Sequence, residues 1–183
     1  DEKHSVEWHI QQFSDMCGKL TTYTERCILS FVDPYKSMRN KFRAMVPDEM
    51  SAIASGFSEI AQQCGIALFT CAEEIDLSKY GVSHASCIDQ NLIEQIIGSR
   101  ITAKKDANQR AACCCMESVD IGAYDTCPHG CTYCYATSSP KTVLQRVATH
   151  DSKAPMLTGY PRGNEIVTDR TTPSQVSNQL SLF

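Results

Sequence analysis

The sequence lacks the signals of several common protein classes. None of its apolar runs approaches the about 18 residues that a membrane-spanning helix needs. It contains no glycine-rich phosphate-binding loop, no serine-hydrolase elbow and no HExxH helix, which excludes three widespread catalytic motifs. The formal net charge of -4 argues against a generally basic surface. We therefore expect no membrane partner, and a nucleic-acid partner only through a local basic patch.

Cysteine, by contrast, is abundant, with 11 of the 183 residues. Six of the eleven lie between Cys113 and Cys134, and three of these are consecutive. Disulfide scaffolds usually carry an even number of spread half-cystines, and three consecutive cysteines cannot all reach separate partners without strain. The pattern favours thiolate ligation of a metal in a reducing compartment, so we expect a cytoplasmic protein.

Hydrophobic periodicity predicts alternating helices and strands in the first hundred residues. Two short apolar strands flank an amphipathic helix that Gly65 closes, which indicates a parallel pair joined by a right-handed crossover. The polar end of the chain is expected to follow the surface, with residues 179–183 docking on it. In chain order, the predicted elements are a helix over 5–19 capped by Ser5, a strand over 26–32, a helix over 48–64, a strand over 66–71, a helix over 89–97 closed by Gly98, and a helix over 140–149.

The segment Cys127–Tyr135, called the cysteine loop below, has the spacing CX3CX2C followed by an aromatic residue. Its three thiolates can each bind a different iron of one 4Fe-4S cluster, and Gly130 permits a tight approach of the backbone. One iron then lacks a protein ligand. A structural zinc site would instead need a fourth ligand, which Cys113 or Cys115 could supply. The predicted metal ligands of the loop are Cys127, Cys131 and Cys134.

The cysteine loop resembles the cluster motif of the radical S-adenosylmethionine superfamily, and the chain as a whole resembles the domain-of-unknown-function 1848 family. Two minor departures are Thr137, where asparagine is expected, and Cys114, where glycine is expected. The resemblance is most specific in three segments, Lys105–Arg110, Ser118–Tyr124 and Thr126–Ala136. It is looser in Asp1–His4, Ser30–Asp33, Cys71–Asp76, Cys87–Asp89 and Gln179–Phe183.

The resemblance implies an α/β fold that is the C-terminal portion of a longer protein, beginning at Asp1 in the middle of a barrel. We accordingly predict a partial TIM-barrel-like parallel sheet with crossover helices over residues 1–100. Residues 101–183 are predicted to form a cysteine-rich, loop-dominated, cluster-binding segment that includes the last helix and the tail. The two parts are expected to form one domain.

The resemblance also implies a chemistry for the open iron. S-adenosylmethionine would chelate it through its amino and carboxylate groups, and reductive cleavage of a carbon-sulfur bond would give a 5′-deoxyadenosyl radical. Tyr135 would lie near the adenine, and Gly130 would belong to the cofactor-binding loop. The implied partners are an electron donor and a substrate of unknown identity.

A second group of cysteines invites a further metal site. Cys71 ends the second predicted strand, Cys87 precedes a helix, and Cys113 and Cys115 lead into the cysteine loop. Four thiolates would fully ligate an auxiliary iron-sulfur cluster or a zinc ion. The alternative is that Cys71 and Cys87 are small buried hydrophobic residues. Packing is the expected role of the cysteines on apolar faces, Cys17, Cys27 and Cys64.

Two other interpretations stay open from the residues alone. The chain could be a non-catalytic zinc or cluster-binding module, or an electron-transfer protein. Charged residues near strand ends are weaker candidates: the acidic Asp33, Glu73 and Glu74 could hold a substrate or a cofactor amino group, and the basic run over 104–110 could meet an anion. Such residues are also common in solvated loops.

Overall fold

The computed structural model describes residues 4–33 and 42–177, and these residues contain four α-helices and a three-stranded sheet. The described residues divide into two compact units, one of residues 4–33, 42–118 and 175–177, and the other of residues 119–174. The expected docking of residues 179–183 lies outside the described residues. The elements are α1 (Val6–Leu20), β1 (Arg26–Leu29), α2 (Pro47–Gln63), β2 (Ala67–Thr70), β3 (Ser83–His84), α3 (Gln90–Ile97) and α4 (Pro140–Ala148), with a 3₁₀ turn at Ser78–Tyr80.

Capping residues explain where the helices begin and end. The side chains of Ser5, Asp89 and Ser139 each accept a hydrogen bond from a backbone N–H in the first turn of α1, α3 and α4. Gly98 ends α3 in the left-handed conformation, with φ of 65°. The four predicted helices are confirmed, each to within one residue or so at its ends.

The sheet has the order β1-β2-β3, and both neighbouring pairs are parallel. The predicted strand, helix, strand unit is confirmed, but β1 ends at Leu29 rather than at residue 32. The reason is that the N–H of Phe31 and the hydroxyl of Ser30 donate to the Glu73 carboxylate, each at 2.8 Å, so the Phe31 amide leaves the ladder. β1 is half-buried along its length rather than buried on both faces, because it is an edge strand of the described sheet.

The two-residue strand β3 was not predicted from the sequence. Ser83 pairs with Phe69 and His84 with Thr70, so β2 lies between two parallel neighbours. The mixed α/β class is confirmed. A TIM-barrel-like sheet is not shown, since three strands pair among the described residues.

The main core forms where α1 and α2 pack on each other and on the sheet. Phe13 and Phe57 stack with their ring centroids 3.9 Å apart and their planes at 6°. Cys17 is buried in this core, and Cys27 and Cys64 pack against it, so the packing role expected for these three cysteines is confirmed. No helix in the described part of the chain combines the length and apolar character needed to cross a bilayer.

Candidate metal centre

Three buried thiols meet in the unit that contains the sheet. The sulfurs of Cys71, Cys113 and Cys115, called the buried triad below, all lie within 4.8 Å of one another. The Sγ atoms of Cys71 and Cys115 are 3.7 Å apart, although the residues are 44 positions apart in the chain. The three residues are 5%, 4% and 6% exposed, and all eleven cysteines of the chain are free thiols. The arrangement could hold a metal ion.

The parallel sheet places the first residue of the triad. Cys71 directly follows β2, so it lies at the carboxyl end of the central strand, where open α/β sheets commonly build their sites. Ala72 turns the chain away at this point with φ of 59°, a conformation that a residue with a Cβ rarely adopts. Ile28 of β1 and Ile88 pack against the triad and cover it with apolar surface.

Backbone hydrogen bonds place the other two residues. The N–H of Met116 donates to the Ile88 carbonyl at 3.1 Å, and the N–H of Asp106 donates to the Cys115 carbonyl at 3.0 Å. An antiparallel bridge between Lys105 and Met116 holds the same segment from its other side. The segment 113–116 is therefore hydrogen-bonded on both sides, which fixes the positions of the Cys113 and Cys115 thiols within it.

The backbone also donates a hydrogen bond to one sulfur of the triad. The N–H of Ile88 donates to the Cys115 sulfur at 3.4 Å. Burial raises the pKa of Cys71 and the pKa of Cys113, each to about 11. Burial acts in the same direction on Cys115, but donors that include the Ile88 N–H and the two other thiols hold the pKa of Cys115 below its ordinary value. Cys115 is therefore the first thiol of the triad to ionise.

Cys87 and Cys114 have different relations to the triad. Cys87 is exposed and is not one of the three mutually close sulfurs, but it lies near enough to Cys71 to influence the pKa of that thiol. Cys114 is also exposed, although it stands between two members of the triad, and its thiol faces the Ala112 carbonyl at 3.9 Å.

The cysteine loop has an open conformation in the unit of residues 119–174. Cys127 and Cys131 are exposed, and Cys134 is half-buried. The Cys134 N–H donates to the Cys131 carbonyl at 3.0 Å, closing a turn. Gly130 has φ of 62°, with no atom within 4 Å of where a Cβ would lie, so glycine is needed for the backbone angle rather than for space. Among the described residues, the three loop sulfurs do not form a group as close as the triad.

Two neighbours of the loop were not identified from the sequence. The Thr137 hydroxyl lies 3.4 Å from the Cys134 sulfur and, together with the Ala136 N–H, lowers the pKa of Cys134. The Asp125 carboxylate accepts hydrogen bonds from the N–H groups of Ser138 and Ser139 at 2.6 and 3.0 Å, and it pins the chain that follows the last cysteine. Thr137 stood out in the sequence only as a departure from a motif.

Tyr135, which the sequence predicts to be a cofactor contact, is 64% exposed. Its ring meets that of Tyr124 edge to face, with centroids 6.4 Å apart. The two rings give this face of the loop an aromatic surface.

The charged residues near the strand ends have structural partners. Glu73 accepts the two hydrogen bonds that end β1, and Asp33 forms an ion pair with Arg110. A cleft of about 580 Å³ lies beside these groups. It is lined by Asp33, Met50, Ala72, Glu73, Glu74, Ile75, Arg110, Ala111 and Ala112.

A model of one protein family matches residues 1–136, and its description is "Domain of unknown function (DUF1848)". The matched region contains the buried triad and ends one residue after Tyr135, so it includes the complete cysteine loop. No curated protein and no solved structure matches the chain.

Proposed function

The chain belongs to the DUF1848 family, and we propose that it is an iron-sulfur protein that holds a 4Fe-4S cluster on Cys127, Cys131 and Cys134. The observation that carries this proposal is the CX3CX2C loop with its following tyrosine, which lies entirely within the matched region. The loop supplies three free thiols and leaves one iron of a cubane without a protein ligand.

The residues of the loop fit such a cluster. In a cubane each thiolate binds a different iron, so its ligands stand further apart than thiolates that share one ion. The three loop sulfurs are not all within 4.8 Å of one another, so they are not spaced for a single ion. The hydrogen bonds from Thr137 and from the Ala136 N–H favour the ionised form of Cys134, which is the form that binds iron.

S-adenosylmethionine is the cosubstrate proposed for the open iron. Bound to a reduced cluster, it supplies radical chemistry for a substrate of unknown identity. Tyr135 would bind the adenine with its exposed ring, and Gly130 would keep the backbone close to the cofactor. The exposure of Cys127 and Cys131 would give an electron donor access to the cluster. Eleven free thiols suit a reducing compartment such as the cytoplasm. The proposal also includes a partial TIM-barrel-like sheet, to which the three parallel strands would belong.

A second candidate function is a non-catalytic zinc or iron-sulfur module, including an electron-transfer protein. The observation that favours it is the buried triad, because three thiols enclosed by apolar side chains need only one further protein ligand to close the site against a substrate.

Anaerobic reconstitution with iron and sulfide tests the proposed function. We expect about four irons and four sulfides in the loop cluster, and an electron paramagnetic resonance signal of the reduced cluster that shifts when S-adenosylmethionine is added. Cys131→Ala should abolish this signal. The matched control is Cys64→Ala, which removes a thiol that packs on the main core and should leave the signal unchanged.

Two results would redirect the assignment. A cluster whose signal ignores S-adenosylmethionine would favour electron transfer. Purification without oxygen that yields zinc at the loop and no iron would overturn the iron-sulfur proposal.

A further inference from the structure

We propose that the buried triad and Cys87 together bind one tetrahedral Zn²⁺ ion, rather than a second iron-sulfur cluster. This inference concerns the unit that contains the sheet and does not depend on the function proposed for the cysteine loop.

The spacing of the sulfurs carries the first step. A tetrahedral zinc ion with Zn–S bonds of about 2.3 Å places its thiolates about 3.8 Å apart. The Sγ atoms of Cys71 and Cys115 are 3.7 Å apart, and the Cys113 sulfur is within 4.8 Å of both. Thiolates that each bind a different iron of a cubane cannot approach so closely, because the distance between the two irons holds their ligands apart. The triad is therefore spaced for one ion.

Cys87 supplies the fourth ligand. Its side chain lies near that of Cys71, so a change in its side-chain conformation is the step by which Cys87 would complete the tetrahedron. Cys114, the other cysteine nearby in sequence, faces the Ala112 carbonyl instead. Because Cys87 is exposed while the triad is buried, the ion can enter on the side of Cys87 and be enclosed when that residue binds.

The surroundings suit a structural ion. Four thiolates around Zn²⁺ leave a net charge of -2, which the N–H of Ile88 partly offsets by donating to the Cys115 sulfur. Ile28 and Ile88 cover the site with apolar side chains. Soft thiolate ligands select zinc, copper(I) or iron over magnesium and calcium, and a closed set of four cysteines is a typical structural zinc site.

Such an ion would join three parts of the chain that are distant in sequence. Cys71 follows β2, Cys87 precedes α3, and residues 113–115 belong to a segment without regular structure. Because the unfolded chain has no preformed site, the free energy of binding adds to the stability of the folded unit.

Titration with Co²⁺ tests the inference in the full chain. The variant Cys127→Ser/Cys131→Ser/Cys134→Ser removes the three thiols of the cysteine loop, so any thiolate-bound metal in this variant must be bound elsewhere in the chain. We expect one Co²⁺ per chain with the absorption bands of a tetrahedral thiolate site, and stoichiometric displacement by Zn²⁺.

Three single substitutions in that background identify the ligands. Cys115→Ser should weaken Co²⁺ binding by more than the about 10–100-fold that the loss of an outer-shell partner costs. Cys114→Ser is the matched control, because it changes an adjacent cysteine outside the triad, and it should leave binding unchanged. Cys87→Ser should weaken binding at least about tenfold and reduce the number of thiolates seen by X-ray absorption from four to three.

Several results would overturn the inference. These are equal losses in Cys114→Ser and Cys115→Ser, a full complement of four thiolates in Cys87→Ser, iron with acid-labile sulfide in the triple variant, or no metal binding by that variant. Circular dichroism of the Cys114→Ser and Cys115→Ser variants, with and without metal, separates the loss of a ligand from a failure to fold.

Discussion

The two cysteine sites of this chain use the same ligand atom in opposite surroundings. The buried triad is enclosed by apolar side chains, and its sulfurs already lie at the spacing of ligands to one ion. The cysteine loop is largely exposed, and its sulfurs are more widely spaced. The triad needs only one more thiol to become a closed site, whereas the cluster proposed for the loop would keep one iron for a ligand from outside the protein.

Because of this difference, we expect a metal at the triad to affect folding stability and a metal at the cysteine loop to affect cofactor chemistry. A closed set of thiolates joins distant segments and contributes to folding. An open set on a surface loop contributes little to the core, but it permits an exchangeable ligand and an electron donor to approach. We expect loss of metal from the triad to affect the folded state, and loss of metal from the loop to affect cofactor binding.

Removal of zinc from the triad is expected to have the largest effect. With free Zn²⁺ at about 1,000 times its Kd, binding to the folded state alone adds about 4 kcal/mol to the free energy of unfolding. Urea unfolding of Cys127→Ser/Cys131→Ser/Cys134→Ser, with zinc and after chelation, measures this difference. Adding Cys115→Ser should remove most of the dependence on zinc. If the full dependence persisted, the ion would be bound elsewhere.

The next largest effect is expected on the rate at which the buried thiols of the metal-free protein are alkylated. The pKa of Cys71 and that of Cys113 are raised by burial to about 11 from 9.0, so about 100-fold less thiolate is present near pH 8 than in a thiol of pKa 9.0. Alkylation by iodoacetamide, followed by mass spectrometry, should label both residues at least about 100-fold more slowly than such a thiol. Exposed Cys127 and Cys131 should be labelled earlier.

The same raised pKa values predict how stability depends on pH. The folded state holds these protons more tightly than the unfolded state. The contribution of the two thiols to the free energy of unfolding is therefore complete below about pH 9 and is lost as the pH rises to about 11. Urea midpoints of the metal-free protein, measured across this range, check the sign. A midpoint that rose with pH would contradict it.

Much of the fold could be predicted because its signals are local. Ser5 and Asp89 mark helix starts, Gly98 marks a helix end, and a short apolar run on each side of α2 indicates parallel strands. β3 has only two residues, too few to show a period. The early end of β1 depends on Glu73, which is more than forty positions away.

The candidate site could be predicted in its residue types but not in its arrangement. Cys71, Cys87, Cys113 and Cys115 formed one group in the sequence interpretation, but only contacts between distant segments show that three are close and that Cys87 is at the margin. The spacing of the cysteines in the sequence also does not distinguish a site for one ion from a site for a cluster, because that difference depends on the distances between the sulfurs in the folded chain.

Asp125 should have a smaller effect, confined to the cysteine loop. Asp125→Ala removes the acceptor that holds the N–H groups of Ser138 and Ser139, so Cys134 should lose part of its fixed position. We expect a reconstituted cluster to bind about tenfold more weakly, as is typical when an outer-shell partner is lost. Iron retention against a chelator measures this.

The control for this substitution is Asp151→Ala, which removes an exposed carboxylate from the same unit. Asp151 accepts hydrogen bonds from the Lys153 N–H and the Tyr160 hydroxyl rather than from the loop. Equal iron loss in the two variants would show that Asp125 has no specific role.

The smallest effect is expected at Ala72, beside the triad. A left-handed Ala costs about 1–2 kcal/mol, and Ala72→Gly relieves that strain while adding about 0.5–1 kcal/mol of unfolded-chain entropy. The difference between these two figures is a net stabilisation of between about 0 and 1.5 kcal/mol. Ala85→Gly is the matched control, because Ala85 is also half-buried but has no positive φ, and it should destabilise by about 0.5–1 kcal/mol. Urea unfolding of both zinc-bound variants compares them, and equal destabilisation would show that the turn after Cys71 holds no strain for glycine to relieve.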